Sequence, residues 1–594
     1  MQETTSPEGA KPTADQNYRG WQSDIIVDLI KRYGFPAITL NPGASFRGLH
    51  DSLINYGGNE PPMMLCQHEE IAVQIAHGYA KASGKPMAVI LHNLVGLLHA
   101  TMAIYYAYLD RVPIFIIGAT GPMDEGRRRP HIDWTHTALV QGNAIRDYVK
   151  WDNQPYGAAA VVDSFARGYR VATTEPCGPV YLCYDAAFQE DPLEEEVALP
   201  DPRRPFTTTP LQAEASALQR AAELLVAAEH PVILAEYLGR HPSAFHTLVR
   251  LAERVAAPVI DLNGRLNFPN RHPLNLTGTR VLEQADLVLA LDVRDLYGPL
   301  TRLDRVTRRT EYIVPPSCKI VEIGLGDLEI SKWAQDFQKF QQTDLSILAD
   351  TSVALPELLR HCEALLARDP GREARLRARA SELAHLHETT WQSWRAEAQR
   401  QWDLRPTSLP RLAAEVWEVI RHEDWVLTAN TLERWALRTW DFDRPERHPG
   451  RSLGTATQIG IALGVALAYK GSGKLVVDIQ PDGDLLFDAG ALWIAAHHQI
   501  PLLVVMYNNR AYYNDWEHQI RIARQRGTDE SKAYIGMEID HPAPDFAKLA
   551  QALGWYAEGP IEDPAEVRAA VARAARVVKE EGRPALVDTV TQFR

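Results

Sequence analysis

The sequence predicts an α/β protein made of three doubly wound parallel sheets. Length is the first sign: 594 residues are too many for one hydrophobic core and call for about three or four domains. Alternation is the second, because strand-like apolar runs and helix-like runs take turns along most of the chain, as in βα-repeating architectures. The third is one unit written out in full near the C-terminus. There Lys474–Ile479 reads as a strand, Asp488–Gln499 as a helix and Ile500–Tyr507 as a second strand. A unit of that length fits a parallel crossover of roughly 30 residues.

Taken in order, Ser23–Tyr33 has helical spacing and Ala37–Leu40 reads as a strand. His68–Ser83 is a helix, Pro86–Leu91 a strand, Ala100–Leu109 a helix and Val112–Ile117 a strand. The segment from Glu190 to Pro210 is acidic, then proline-rich, and reads as a linker. A second α/β unit starts near Leu211, with strands expected at Val232–Ala235, Val259–Asp261, Leu287–Leu291 and Ile320–Ile323. Gly371–Arg400 is helical but lacks a strong apolar stripe, which suits a connector on the surface. Pro406 and Pro410 punctuate the start of a third α/β unit that runs to Arg594.

Composition narrows the function. The net charge is −14 with no long basic block, so nucleic acid is not an expected partner. No apolar run reaches a membrane span, and Met1–Gln16 is polar with no signal-peptide core. The five cysteines are scattered without a Cys-x-x-Cys pair, which reads as buried thiols of a cytoplasmic protein rather than a disulfide or zinc framework. Three short motifs mislead. Gly471-Ser472-Gly473-Lys474 precedes a strand instead of following one, His68-Glu69 lacks the second histidine of a zinc-protease helix, and Gly324-Leu325-Gly326 lacks the third glycine of a dinucleotide fingerprint.

The chemistry lies where the C-terminal strands end. Pro481-Asp482-Gly483-Asp484 follows the first strand, and Asn508-Asn509 follows the second, with Asn509 twenty-seven residues after Asp482. A carboxylate and an amide at neighbouring strand ends sit where open α/β sheets bind ligands, and they form a hard-oxygen set suited to Mg²⁺. Each piece alone is an ordinary turn or cap; the spacing within a βαβ unit is what favours a site. These residues resemble the Gly-Asp-Gly and Asn-Asn signature of thiamine diphosphate (ThDP) enzymes of the decarboxylase and acetolactate-synthase type, with Pro481 replacing the first glycine.

The resemblance spans essentially the whole chain and implies three domains: pyrimidine-binding (18–189), central (211–368) and diphosphate-binding (411–594), with 369–410 as a helical connector. It implies ThDP and Mg²⁺ as cofactors, with Asp482, Asn509 and the carbonyl of Ala511 as metal ligands. Cofactor contacts carry over to Glu69, Gly483, Asp484, Asn509 and Ala511. The bulky residue that bends the cofactor falls at Thr457, so a local shift giving the part to Ile459 is one expectation and a smaller wedge the other. Glu69, in Gln67-His68-Glu69-Glu70, matches the acid that meets the aminopyrimidine, and burial of such an acid leads to an expected raised pKa.

On the substrate side, Leu91-His92 resembles a Leu-His pair of benzoylformate decarboxylase, whose histidine moves protons. Asn41-Pro42-Gly43 resembles its Asn-Pro-Gly, although the serine that follows there is Ala44 here. Asp515, six residues after Asn509, matches a position often turned to the reacting centre and is of acid/base type. Ala44, His136 and Tyr512 are the expected substrate pocket, with the 124–141 loop and its His131, Asp133 and His136 as a polar wall. The implied function is a lyase or decarboxylase acting on a 2-oxo acid, acyloin or 2-hydroxyacyl-CoA, with possible carboligation. An acetolactate-synthase-type transferase is the alternative, although its Asp-Ala-Phe-Gln-Glu loop motif is missing. A non-catalytic ThDP-binding homologue is a third reading. The family plan draws each site from two subunits, so a homodimer or homotetramer is expected. For the central domain a vestigial nucleotide fold is the expectation, since Leu238-Gly239-Arg240 is poor in glycine.

Overall fold

The computed structural model describes residues 19–201, 203–204, 206–329, 336–452 and 454–593; the polar stretch Met1–Gln16 lies outside them. Among the described residues the strands form three parallel sheets and one antiparallel ribbon. The first sheet comprises β1 (Ile38–Leu40), β2 (Met63–Leu65), β3 (Met87–Ile90), β4 (Ile114–Thr120), β5 (Trp151–Asn153) and β6 (Val180–Asp185), in the order β2-β1-β3-β4-β6-β5. The second contains β7 (Pro231–Ala235), β8 (Val259–Asp261) and β9 (Leu287–Leu291). After the ribbon of β10 (Thr301–Leu303) and β11 (Thr310–Tyr312) it adds β12 (Lys319–Gly324) and β13 (Leu345–Leu348), in the order β13-β12-β9-β7-β8. The third orders β14 (Trp425–Thr428), β15 (Leu475–Pro481), β16 (Leu503–Asn508), β17 (Tyr556–Ile561) and β18 (Ala585–Val590) as β14-β15-β16-β18-β17. Central strands such as β4, β9 and β16 are buried along their whole length. Helices cover both faces of such sheets, which is why these strands read as continuous apolar runs.

Two expected helices differ in extent. The helix expected from Ala100 begins at Asn93, with His92 as its N-cap in extended conformation; the Val95-Gly96 pair hides its first turns from a periodicity argument. Where one helix is expected, at Asp488–Gln499, two stand in a row: Asp482–Phe487, which lies outside the expected range, and Gly490–His497, which falls within it. The first begins directly behind Pro481, whose φ of −76° is proline's own, so replacing the family's glycine costs this turn nothing. The Arg372–Arg400 helix buries few side chains, as expected. It is held by Arg379, whose guanidinium donates to the carbonyls of Ala228 and Glu229 and of Val255 and Ala256. Those carbonyls lie at the C-terminal ends of the Ala215–Ala227 and Pro242–Val255 helices, where acceptors are free and the dipole favours a cation. The 190–210 segment is strapped along the first domain, with Leu193, Val197, Leu199 and Phe206 packed on its core.

Two of the contacts that join the domains bring all three together. The Glu69–Ser83 helix crosses the Gln458–Ala468 helix so closely that a Cβ on Gly78 would lie 2.0 Å from the Ile461 carbonyl oxygen. A Cβ on Gly464 would lie 2.1 Å from that of Ile75; glycine is needed for the backbones to meet. The second contact is a buried ionic knot around Asp110. Its carboxylate accepts from His77 Nε2 at 2.8 Å, Lys81 Nζ at 2.6 Å and Arg265 NH1 at 2.6 Å. Lys81 also donates to the Arg451 carbonyl at 2.7 Å, so all three domains touch this point. Burial pushes Lys81 down to about 8, while Arg265 and Lys81 overcome the burial of Asp110 and hold its carboxyl well below the usual range.

Candidate active site

β15 and β16 run side by side with Pro481 opposite Tyr507, so Asp482 and Asn509 emerge together from the C-terminal edge of the third sheet. Arg510 takes a left-handed φ of 56°, a conformation non-glycine residues pay for. It turns the chain so that the Ala511 N–H donates to Asp482 Oδ2 at 3.1 Å and to Asn509 Oδ1 at 3.0 Å. The two oxygens thus converge on one point. Asn508, the first amide of the pair, instead donates to Asp588 Oδ1 at 3.0 Å and ties β16 to β18. A cavity of about 340 Å³ opens here, lined by Asp482, Gly483, Asp484, Asn509, Tyr512 and Asp515 among others. A Cβ on Gly483 would lie 2.5 Å from the Tyr512 ring, so glycine lets Tyr512 close over the turn.

Asp482 is buried, and among the described residues no ion pair reaches it. Burial pushes its pKa up to about 6, against the backbone N–H groups of Gly483, Asp482, Ala511 and Arg510. Asp484 also rises to about 6 through burial. Its carboxylate accepts from Ala456 N–H at 2.5 Å and from Gln480 Nε2 at 3.1 Å, so it also braces the loop ahead of the Gln458–Ala468 helix. Ile459 is fully buried in the core between the first and third domains, and Thr457 is buried as well. Thr455 and Gln458 line the cavity instead. Asp515 stands exposed on the rim, in the first turn of the Tyr513–Arg526 helix.

The other group of expected residues gathers at the C-terminal edge of the first sheet. Glu69 opens its helix behind His68 and is only 4% exposed. The expected raised pKa is corrected here. Burial works upward, but the residue's own backbone N–H and the Asn41 and His99 side chains together bring Glu69 below the usual glutamate value. The neighbouring Glu70 is the raised acid, at about 7, through burial and the nearby charges of Asp488 and Asp484. His92 lies at the end of β3, its Nδ1 2.9 Å from Ser45 Oγ and its ring 5.5 Å from that of His136. Burial first, then His136, hold its pKa below the ordinary imidazole value. Ala44 is exposed and its carbonyl accepts from Arg129 NH1 at 3.2 Å. Arg129 also pairs with Asp133 at 2.9 Å, so that aspartate braces the loop.

Family models match three stretches of the chain: residues 21–139 as the "Thiamine pyrophosphate enzyme, N-terminal TPP binding domain", 218–358 as its central domain and 429–589 as its C-terminal TPP binding domain. Together they take in most of the chain, in the family's own order. The chain belongs to the thiamine pyrophosphate enzyme family. Among curated members, a probable acetolactate synthase large subunit of Methanocaldococcus jannaschii is 25% identical over 92% of this chain and 88% of its own. A probable 2-ketoarginine decarboxylase of Pseudomonas aeruginosa is 26% identical over 61% of this chain and 63% of its own. Among solved structures, benzoylformate decarboxylase of Polynucleobacter necessarius superposes with a TM-score of 0.73 at 18% identity, covering 97% of this chain and 99% of that one. The 4-hydroxybenzoylformate decarboxylase of Rhodococcus jostii gives 0.74 at 17%, with the same coverage. At those identities the likeness speaks for the fold.

For a thiamine pyrophosphate enzyme the donor set fits: a buried carboxylate with no cationic partner among the described residues, beside an amide oxygen, at the mouth of a cavity. Sequence reasoning missed four neighbours of these residues. Ser45 supplies a hydroxyl one residue beyond Ala44. His99 reaches Glu69 Oε2 at 3.2 Å. Asn430 and Glu433 line the cavity from a turn in which Leu432, Glu433 and Arg434 all take positive φ. The Asn430 amide donates to Tyr507 Oη at 2.8 Å. Only Ser45 had a signal in the sequence, as a serine beside the Asn-Pro-Gly turn.

Proposed function

We propose that the chain binds ThDP with Mg²⁺ and breaks or makes a carbon–carbon bond next to a carbonyl, without net oxidation, on a 2-oxo acid, an acyloin or a 2-hydroxyacyl-CoA. The convergence of Asp482 and Asn509 at one cavity carries this reading. Asp482, Asn509 and the Ala511 carbonyl would hold the metal, Gly483 and Asp484 would flank the diphosphate, and Glu69 would meet the aminopyrimidine. When bound, the cofactor supplies the electron sink that such a bond cleavage needs. The chain's own residues then move protons. His92, fixed by Ser45 and kept neutral by burial, is suited to take a proton from the substrate. Asp515, on the rim, is suited to exchange one with the product. Ala44, His136 and Tyr512 would shape the pocket.

A site shared between two subunits of a homodimer or homotetramer is part of this proposal. Within one chain Glu70 and Gln74, not Glu69, turn toward the third domain, with Gln74 donating to Asp488 at 2.8 Å. The helix that carries His99 also exposes Leu98 and Met102, apolar surface of the kind a partner covers. Among the described residues no helix is long and apolar enough to cross a membrane. The test is Asp482→Ala, which should lose ThDP on gel filtration because it removes the carboxylate that would hold the metal. Full occupancy in that variant overturns the assignment. The acetolactate synthase relative supports a transferase as the second reading. Mass spectrometry of products from 2-oxo acids and 2-hydroxyacyl-CoAs separates the two.

A further inference from the structure

We propose that Glu175, His241 and Asp350 form a binding site for a zinc-type divalent cation, which ties the first domain to the central one. Glu175 comes from the first domain, between the Ala158–Thr173 helix and β6. The other two belong to the central domain. His241 precedes the Pro242–Val255 helix, and Asp350 follows β13 and opens the Thr351–Leu366 helix. His241 Nε2 stands 3.4 Å from Glu175 Oε1 and 3.8 Å from Asp350 Oδ2. One donor atom of each residue lies within 4.8 Å of the others. Zinc bonds of about 2.0–2.2 Å in a tetrahedron set donors about 3.3–3.5 Å apart, so the set needs to tighten only around Asp350.

Hydrogen bonding and charge both leave room for the ion. His241 Nε2 is shut off from solvent, yet among the described residues it makes no hydrogen bond. Asp350 Oδ1 accepts the Ser352 N–H at 2.8 Å, which fixes the carboxylate and leaves Oδ2 to the imidazole. Glu175 Oε2 accepts the Cys177 N–H at 3.2 Å, and Oε1 accepts from Arg240 Nε at 2.8 Å. Outer contacts of this kind orient metal-binding carboxylates. Arg240 also pairs with the buried Asp292 at 2.6 Å. Among the described residues it is the only arginine or lysine paired with these acids. Three carboxylates thus face one guanidinium, an excess of two negative charges that burial makes costly. A protonated imidazole would cancel one of them; a divalent cation beside a neutral imidazole cancels both.

The donor set selects the ion. One imidazole nitrogen with two carboxylate oxygens suits Zn²⁺, whereas Mg²⁺ prefers oxygen alone. Binding forms one N–Zn and two O–Zn bonds, with water in the open position, and changes no oxidation state. None of the three residues lines the cavity at Asp482, so the ion's part is to hold two domains at a fixed spacing. The other cluster of three such donors among the described residues, His68, Glu69 and His99, includes the acid assigned to the cofactor and supports no separate site.

Zinc content and zinc spectroscopy test this on the full chain loaded with ThDP and Mg²⁺. After dialysis against Zn²⁺ in excess Mg²⁺ and gel filtration, the wild type should retain one more zinc per chain than His241→Gln or Asp350→Asn, the latter keeping the helix cap. X-ray absorption of the wild type carrying one zinc per chain should show nitrogen and oxygen neighbours at about 2.0–2.2 Å, an imidazole among them and no sulfur. Stripping the zinc with a chelator should lower the unfolding temperature of the wild type and leave that of His241→Gln unchanged. No retained zinc, equal zinc in wild type and His241→Gln, or sulfur around the metal overturns the site and leaves a plain ion-pair cluster. Where His241→Gln does not fold, the absorption spectrum of the wild type decides alone.

Discussion

Asp478 lies wholly inside β15, with Oδ1 3.2 Å from the Thr428 hydroxyl and Oδ2 without a hydrogen-bond partner among the described residues. Burial drives its pKa up to about 8. An acid that binds its proton more tightly folded than unfolded subtracts stability as pH rises through the interval between the two values. For Asp478 that interval runs from the ordinary aspartate value to about 8, with a slope of up to about 1.4 kcal/mol per pH unit. Asp478→Asn should therefore unfold at higher urea than the wild type at about pH 8, and the gap should shrink toward about pH 5. Equal midpoints at both values would mean the carboxyl is already ionised in the fold. Glu69 gives a second prediction at this scale. Glu69→Gln should keep ThDP bound, since the metal site is untouched, yet slow C2 exchange by about 10²-fold or more; loss of cofactor instead would make Glu69 a binding residue.

At the scale of elements, the seam between the Glu69–Ser83 and Gln458–Ala468 helices is an unforgiving contact. Gly78→Ala sets a methyl against a backbone oxygen that cannot rotate away, so the helices have to separate, at a cost of about 1–3 kcal/mol. Gly20→Ala, with nothing within 4 Å of its Cβ, is the control, and thermal unfolding compares the two. This seam also marks how far the sequence could be read. Strands and helices follow from local periodicity, and Asp482 with Asn509 follows from spacing within one βαβ unit. A crossing of helices nearly four hundred positions apart in the chain leaves only scattered glycines as its trace. His99 was hidden for a related reason. It sits in an apolar helix thirty positions from Glu69, where a lone histidine reads as a surface residue. The pKa of Glu69 was misread because burial was visible in the sequence and its three hydrogen bonds were not.

At the scale of the molecule, Asp110 holds the domains together while facing more positive charge than it carries. Asp110→Asn would leave Lys81 and Arg265 buried without their counter-charge, a loss of about 3–5 kcal/mol. Limited proteolysis should then cut the 190–210 strap faster than in the wild type, and an unchanged rate would mean the glycine seam alone sets domain cohesion. That seam bears on how the protein dies on heating. One helix of the crossing begins at Glu69 and the other at the loop braced by Asp484, so parting them displaces both groups in a single event. A heat pulse should accordingly leave molecules that are either fully competent or inert. Surviving activity would decay with one rate constant, the same one that releases the cofactor, and the survivors would keep an unaltered affinity for substrate.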